Sequence, residues 1–256
     1  MGGDGDPRTV GGDAVTTLLY HTDSYLREME AAVTRVEGER VALDRTVFYP
    51  GGGGQPADTG LLRTDAAAWT VTGARKAGGE IVHAVEPSPD GSLPEVGAGV
   101  TAEIDWDRRH RLMRTHSALH VLCGVIWRDH GAQVTGGNME PLAGRMDFEF
   151  ETMHGDLVAD IERRVNEEIA ADREIRVAQL PRDEAFKIPD LIRTKINLLP
   201  PGISEVRIIE IVGLDLQADG GTHVARTGEV GRIRVTGHES KGRINKRLRL
   251  AILDPL

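Results

Sequence analysis

The sequence is poor in cysteine and contains no long apolar run. Its only cysteine, Cys123, has no second thiol with which to form an internal disulfide, so a reducing cytoplasm is the expected compartment. No stretch approaches the roughly 18 consecutive apolar residues that a membrane span needs. The opening residues, MGGDGDPRTVGGDA, also lack the apolar core of a secretory signal. We therefore expect a cytosolic protein with no membrane partner, and we predict a flexible tail over residues 1–14.

Positive charge is in the minority along the chain, except in one segment. The 256 residues include 31 Lys and Arg against 40 Asp and Glu, a formal net charge of −9, and the sum alone argues against a nucleic-acid partner. Between Gly231 and Leu250, however, seven basic residues accompany one acid, Glu239. Such a tract is typical of an RNA contact made along one edge. It is equally typical of a solvated final strand whose basic side chains prevent aggregation.

Glycine and proline punctuate the chain before residue 105 and are scarce just after it. Over residues 15–104, short strand-like segments separated by Gly/Pro turns predict a small β-barrel or sandwich, and we take the barrel as the prediction. From Asp105 the spacing changes to that of a long helix with one apolar side, and a second helix is predicted from about Gly155 to Arg173. Strand-like segments surround the helices without strict βαβ alternation. The sequence therefore predicts an α+β protein, with a barrel domain followed by an α+β domain over residues 105–256.

Two pairs of residues share the spacing of metal ligands. In HSALH, His116 and His120 lie one turn apart on one helical face, where two imidazoles reach a single metal ion; polar residues flanking a core stripe are the alternative. Asp219 and His223 repeat the spacing in DGGTH, where the alternative is a polar turn. Together the four supply a tetrahedral ligand set suited to Zn²⁺. Cys123 is a softer ligand, but a free cysteine on an apolar helix face is usually only buried.

The tract GGGGQPADTG, residues 51–60, has three interpretations. A phosphate-binding loop requires a Gly-Lys-Ser/Thr ending, which the tract lacks. A bend in a strand, where no side chain fits, is the second interpretation. The third is a backbone surface that a ligand approaches closely.

Three motifs in a fixed order carry a family resemblance. FYPGGGGQPADTG, RTHSALHVL and ADGGTHVARTGEVG resemble the free-standing alanyl-tRNA editing proteins called AlaX and the editing domain of alanyl-tRNA synthetase. The resemblance extends from about Leu18 to the C-terminus; the editing domain of threonyl-tRNA synthetase is more distantly similar. In the family's pattern, His116 and His120 match the first ligand pair and His223 matches the second histidine. Asp219 stands where cysteine is common, and is then the fourth ligand or a close partner of a ligand.

The resemblance implies a zinc-dependent hydrolase that removes serine or glycine from the 3′ end of mischarged alanine tRNA. Binding alone discriminates serine or glycine from alanine by only about 10², which gives a second, hydrolytic site its purpose. Zinc would either activate a water or anchor the aminoacyl group. Thr135 and Asn138 match the region that lines the family's amino-acid pocket, although a turn is the alternative. Thr222 is predicted to hold the substrate or to orient a ligand.

Candidate tRNA contacts fall in the glycine tract and in the basic C-terminal tract, since phosphate contacts position RNA without reading its sequence. They are Gly51, Gly52, Gly53, Gly54, Gln55, Lys241, Arg243, Lys246 and Arg247. DNA is not an expected partner, and no oligomeric state is predicted.

Two alternative functions stay open: a zinc-stabilised tRNA-binding module without activity, and a metal hydrolase of small esters or amides. The basic tract argues against the second, and the histidine pairs argue against the first, although structural zinc would also retain them.

Overall fold

The computed structural model describes residues 15–194 and 202–253, so the tail predicted over residues 1–14 lies outside the described residues. The first part of the chain is built from short strands, with a 3₁₀ turn at Leu19–His21. These strands are β1 (Thr17–Leu18), β2 (Glu28–Glu37), β3 (Arg40–Leu43), β4 (Arg45–Thr46), β5 (Gly60–Arg63), β6 (Ala68–Ala77), β7 (Glu80–Val85) and β8 (Gly99–Ile104).

Six of these strands close into a barrel. Their order is β2-β3-β7-β6-β5-β8, and each neighbouring pair is antiparallel. Buried and outward residues alternate along the strands: β8 buries Val100, Ala102 and Ile104, and β6 buries Trp69 and Val71. Side chains of this kind fill the interior of a small barrel. The N-terminal β-barrel predicted from the sequence is therefore confirmed.

The second part of the chain combines helices with two antiparallel sheets. Its elements are α1 (Trp106–His130), β9 (Val134–Glu140), β10 (Ala143–Glu149), α2 (Gly155–Ala170), β11 (Ile175–Pro181), α3 (Arg182–Ala185), β12 (Glu205–Ile211), β13 (Asp215–Ala218), β14 (Ile233–Ser240) and β15 (Asn245–Ile252). One sheet has the order β14-β15-β10-β9 and the other β11-β12-β13. Because the helices do not alternate with parallel strands, this arrangement is the predicted α+β class.

Helix α1 has well-defined ends. The Asp105 side chain accepts a hydrogen bond from the Arg108 N–H at 3.1 Å, which caps the first turn. At the other end, Gly131 adopts φ 63° and donates its N–H to the Trp127 carbonyl at 2.9 Å. The helix predicted to begin at Asp105 is thus present and ends where glycine reverses the backbone.

The surroundings of α1 differ from the prediction. The predicted pattern was a single apolar side, but every residue from Leu112 to Ile126 is buried. A helix covered on all sides lies in the interior, so the one-sided interpretation is wrong. His116 and His120 are therefore buried with the apolar residues, and buried polar groups require partners within the protein.

Two other element boundaries also moved. Helix α2 stops at Ala170 instead of Arg173, because Asp172 has a positive φ of 49° that a helix does not accept. The strand-like segment GEVGRIRVTG, residues 228–237, forms a strand only from Ile233, since a 3₁₀ turn over Thr227–Val230 occupies its start. Both shifts leave the order of elements unchanged.

A buried ion pair connects the barrel side of the molecule to α1. Arg109 donates from Nε to both carboxylate oxygens of Asp58 at 3.0 Å, and its Nη2 also contacts Asp58. The remaining donors reach the carbonyls of Ser24 at 3.0 Å and Val47 at 2.6 Å. Asp58 in turn accepts from the Tyr49 N–H at 2.6 Å. Because Tyr49 lies just before the glycine tract and Asp58 lies within it, this network fixes the tract against α1.

Candidate metal centre

Four side chains converge between α1 and the loop after β13. His116, His120, Asp219 and His223 each offer one ligand atom, and these atoms lie within 4.8 Å of one another. Asp219 Oδ1 is 3.5 Å from His116 Nε2 and 3.9 Å from His120 Nε2, while Asp219 Oδ2 is 3.0 Å from His223 Nε2. Three imidazole nitrogens and one carboxylate therefore face a common point, as a tetrahedral metal site requires. The structure brings together the four residues predicted from their spacing.

The outer nitrogen of His116 is held by Gln55 from the glycine tract. Gln55 Oε1 lies 2.9 Å from His116 Nδ1 and also accepts the Thr222 N–H at 3.1 Å, while Gln55 Nε2 donates to Thr222 Oγ1 at 2.8 Å. Since an amide oxygen only accepts, His116 must donate from Nδ1. Its Nε2 then carries the free lone pair that a metal needs.

Ser117 performs a similar task for His223. Ser117 Oγ lies 3.3 Å from His223 Nδ1 and accepts the Val224 N–H at 3.2 Å. Ser117 is fully buried and directly follows His116 in α1. The helix thus supplies two ligands and also fixes the orientation of a third, which comes from the loop.

The surroundings of the centre favour the metal-binding forms of His116, His223 and Asp219, whereas His120 is shifted toward its protonated form. Burial lowers the pKa of His223 to about 4 and that of His116 well below its usual value. Burial also opposes ionisation of Asp219, but His116 and the hydrogen bond from His223 outweigh it, and the pKa of Asp219 falls well below its usual range. Burial likewise opposes a charge on His120, whose pKa is nevertheless raised by the Asp215 and Asp219 carboxylates.

The backbone after Asp219 requires a glycine at position 221. The Gly221 N–H donates to Asp219 Oδ2 at 2.6 Å, and Arg207 Nη1 donates to the Asp219 carbonyl at 3.0 Å. A Cβ added at Gly221 would overlap the ring of His116, so no other residue fits beneath the ligand. The DGGT segment is therefore both a turn and part of the metal centre.

The glycine tract lies beside the centre. Its residues Gly51 to Gly54 all have positive φ, between 57° and 133°, a conformation open chiefly to glycine. A Cβ at Gly53 would lie 3.9 Å from Asp219 Oδ1, and one at Gly54 would lie 3.4 Å from Asn138 Cα. The Met139 N–H donates to the Gly54 carbonyl at 3.2 Å. The tract thus occupies the space between Asp219 and the strand that carries Asn138.

The three residues predicted to act on the substrate have different positions. Asn138 is exposed beside the glycine tract. Thr222 is fully buried and bound to Gln55, so its contacts orient the partner of His116. Thr135 donates to Asn245 Oδ1 at 2.9 Å, which directs it toward β15. Of the three, Asn138 is thus the exposed residue next to the tract.

The candidate RNA-contacting residues also differ in availability. Gln55 is only 2% exposed, and its amide is used within the centre as described above. Lys246 is 7% exposed and donates from Nζ to two carbonyls of its own hairpin at 2.8 and 2.9 Å. Arg247 donates twice to Asp147 at 2.7 Å. Lys241 and Arg243 are exposed at the hairpin tip, and their contact with RNA stays a prediction.

Cys123 lies outside the cluster, in the apolar core of the second part of the chain. It is 1% exposed, and burial raises the pKa of its thiol. A buried, protonated thiol is a poor metal ligand, because the thiolate is the form that coordinates. This position agrees with the interpretation that Cys123 is only a core residue.

Two family models match separate parts of the chain. Residues 15–108 match the family described as tRNA synthetases class II (A), and residues 206–249 match the threonyl and alanyl tRNA synthetase second additional domain. In the described ranges, 15–194 and 202–253, no helix is long and apolar enough to cross a membrane. The fold and the site together define a class: a β-barrel joined to an α+β part of the synthetase additional-domain type, with a candidate metal centre in its interior.

Curated relatives identify the family within this class. The chain is 42% identical over 236 residues to the alanyl-tRNA editing protein AlaX-M of Saccharolobus solfataricus, covering 91% of this chain and 98% of that protein. AlaX-M of Methanosarcina mazei is 39% identical over 245 residues, or 94% and 98% of the two chains. The chain belongs to this family of alanyl-tRNA editing proteins. The alanine–tRNA ligase of Pyrobaculum aerophilum is 38% identical over 228 residues, which are 86% of this chain and 25% of the ligase.

Proposed function

We propose that this protein is a zinc-dependent hydrolase that deacylates mischarged alanine tRNA bearing serine or glycine. The observation that carries the proposal is the buried cluster of His116, His120, Asp219 and His223, whose ligand atoms lie within 4.8 Å of one another. The names of the curated relatives support the tRNA substrate and the editing reaction. The ester bond to the 3′-terminal ribose is then the bond that water breaks.

The donor set of the centre suits zinc. Imidazole nitrogen and carboxylate oxygen are both common zinc ligands, and the Gln55 contact leaves His116 Nε2 free to coordinate. When bound, zinc supplies Lewis acidity to an ester carbonyl or to water. The chain's own contribution is to keep His116 and His223 neutral, to fix their directions through Gln55 and Ser117, and to shield the cluster from bulk solvent.

The residues assigned to substrate contact are exposed side chains and backbone near the cluster or on the basic tract. Asn138 is exposed next to the glycine tract, so we assign it contact with the aminoacyl group. The tract exposes backbone without side chains, which lets the acceptor end of tRNA approach Asp219. Lys241 and Arg243 are exposed cations at the tip of the hairpin in the basic tract and are assigned phosphate contacts. Thr135, which is also exposed on β9, is assigned to the same amino-acid pocket as Asn138. In this proposal, residues 15–104 and 105–256 act as two domains around one site.

A deacylation assay tests the proposal directly. Serine-charged and glycine-charged alanine tRNA are incubated with the protein as purified, after chelation, and after zinc is restored. Hydrolysis that is lost on chelation and recovered with zinc is the expected result. A matched variant, Asp147→Asn, removes a carboxylate that pairs with Arg247 outside the cluster and is expected to retain the activity.

Two other outcomes would favour the alternative functions. A zinc-containing protein that binds alanine tRNA but leaves the ester intact would be a non-catalytic binding module. Hydrolysis of small esters at equal rates with and without a tRNA moiety would indicate a general metal hydrolase. Either result would reject the editing proposal while keeping the metal centre.

A further inference from the structure

We propose that Asp215 is a positioning residue of the metal centre, which accepts a hydrogen bond from Nδ1 of His120 and fixes the direction of that ligand. This inference rests on the proposed function only in requiring a metal at the cluster. Asp215 does not belong to the four clustered residues, since it lies on the outer side of the His120 ring.

The first observation is a buried nitrogen without a partner. His120 Nδ1 has no hydrogen-bond partner among the described residues, although buried polar groups normally have one. The carboxylate oxygen Oδ2 of Asp215 lies 3.7 Å from this nitrogen, about half an ångström beyond hydrogen-bond distance. The corresponding nitrogens of His116 and His223 already face Gln55 and Ser117. His120 is therefore the one ligand of the three whose outer contact is incomplete.

The second observation is that Asp215 is held in place from its other sides. Gln217 Nε2 donates to Asp215 Oδ2 at 2.5 Å, and Arg193 Nε donates to Oδ1 at 3.4 Å. The Arg193 guanidinium also lies over the ring of Trp127, 4.6 Å from its centroid. The Asp215 side chain is only 1% exposed. A carboxylate fixed in this way has little freedom, so a small rotation of His120 toward it would complete the hydrogen bond.

The third observation is the space that lets Asp215 reach α1. Gly124 lies one turn after His120, and a Cβ added there would be 2.9 Å from Asp215 Cβ and from Leu214 Cγ. Real Cβ contacts are longer, so any side chain at this position would push β13 away from the helix. A glycine inside a helix such as α1 lowers the stability of that helix relative to alanine. The close approach of Asp215 to the His120 ring accounts for its presence.

Together these contacts make a carboxylate–histidine–metal arrangement. Outer partners of this type fix the tautomer of a ligating histidine and raise its basicity, and their loss typically lowers metal affinity about 10- to 100-fold. Donation from Nδ1 to Asp215 leaves the lone pair on Nε2, which faces the cluster. A purely structural ion pair between Asp215 and Arg193 would have no such effect on metal binding.

Zinc affinity of the full chain tests the inference. Dissociation constants are measured by competition with a chelating dye for the wild type, Asp215→Ala, Asp215→Asn and the control Asp147→Asn. We expect Asp215→Ala to weaken zinc binding about 10- to 100-fold. Asp215→Asn should weaken it less, because an amide oxygen still accepts a hydrogen bond. The control should bind zinc as the wild type does, and thermal unfolding of the metal-free proteins establishes that each variant is folded.

A spectroscopic measurement separates positioning from a structural role. In zinc-loaded protein labelled with ¹⁵N-histidine, a protected Nδ1–H signal is expected for His120, shifted in Asp215→Asn and unmoved in Asp147→Asn. Unchanged zinc affinity in Asp215→Ala, or an unmoved His120 signal in Asp215→Asn, would overturn the inference while leaving the proposed function in place. A wild-type protein that binds no zinc would overturn both.

Discussion

The barrel and the α+β part each bury histidine, but they treat it differently. His83 in β7 is fully buried, and both of its ring nitrogens have partners inside the barrel: Thr46 Oγ1 at 2.9 Å and the Val41 carbonyl at 3.0 Å. His116 and His223 each have a partner outside the cluster on Nδ1, while their Nε2 atoms face the Asp219 carboxylate inside the cluster. A buried histidine with both nitrogens satisfied is a core residue, whereas one with a nitrogen left for a shared point is a candidate ligand.

The largest expected effect comes from removing a cluster histidine. His116→Ala deletes a ligand and leaves the Gln55 amide without its contact, so the protein should lose zinc and deacylation together. The corresponding loss of transition-state stabilisation is several kcal/mol. Metal analysis and the deacylation rate measure both effects in one preparation. His83→Gln should retain zinc and activity; a variant that lost its metal there would show that the barrel histidine also supports the centre.

A smaller effect, on stability, is expected where the two parts of the molecule meet. Asp58→Asn leaves the Arg109 guanidinium buried without a counter-charge, and breaking a buried pair in this way costs about 3–5 kcal/mol. The free energy of unfolding is measured by urea titration. Arg63→Gln, which breaks exposed ion pairs to Glu28 and Glu103 on the barrel surface, should cost at most about 1 kcal/mol. Equal costs for the two variants would show that the buried network does not join the parts.

The comparison also shows which features a sequence can reveal. Short strand-like segments separated by Gly/Pro turns predicted the barrel, because a strand such as β8 is a local segment of six neighbouring residues. The one-sided pattern predicted for α1 was wrong, because the helix is buried on every side and no period of exposure exists to be read. Spacing did select the four residues that cluster, since one helix turn places the first pair locally and one tight loop places the second.

No sequence pattern marked the residues that face the outer ring nitrogens of the candidate ligands. Gln55 is 61 residues from His116 in the chain, and only its position beside the glycine tract marked it, for RNA contact and not for the metal centre. Asp215 was not predicted at all, because a lone aspartate at the start of a strand has no distinctive pattern. Contacts of this kind depend on how β13 packs against α1, and tertiary packing of that sort leaves no periodic trace in one sequence.

The pH dependence of stability should distinguish the barrel histidine from an exposed one. Burial lowers the pKa of His83 to about 4 from the usual 6.5. In the folded state, Nδ1–H donates to the Val41 carbonyl and Nε2 accepts from Thr46, which in turn accepts the Phe48 N–H at 3.0 Å. Protonation of His83 therefore breaks an ordered chain of hydrogen bonds.

The direction of the pH dependence follows from which state, folded or unfolded, binds the proton at the higher pH. Between pH 6.5 and 4 the unfolded chain protonates at His83 while the folded protein does not, so stability falls as the pH is lowered through this window. The full shift in the pKa of His83 corresponds to about 3 kcal/mol in the free energy of unfolding. Above pH 7 His83 is neutral in both states, so its contribution to stability does not change there. Urea titrations of the wild type and His83→Gln at several pH values measure it. If both proteins lose the same stability between pH 6.5 and 4, His83 does not titrate as expected.

The smallest expected effect is a change in the salt dependence of tRNA binding, which distinguishes the hairpin tip from the barrel surface. Lys241 and Arg243 are the exposed cations at the tip of the β14–β15 hairpin. If they contact phosphates, reversing both to Glu should weaken tRNA binding. It should also reduce the steepness of log affinity against log salt by roughly 1 to 2, because fewer counterions are released from the RNA when fewer phosphates are contacted. Reversal of the exposed barrel residues Arg40 and Arg75 makes the same change in net charge at another surface. If both double variants change the slope equally, the net charge of the protein and not the hairpin tip determines tRNA binding. The assignment of Lys241 and Arg243 to phosphate contacts would then be wrong, and the proposed metal centre would be unaffected.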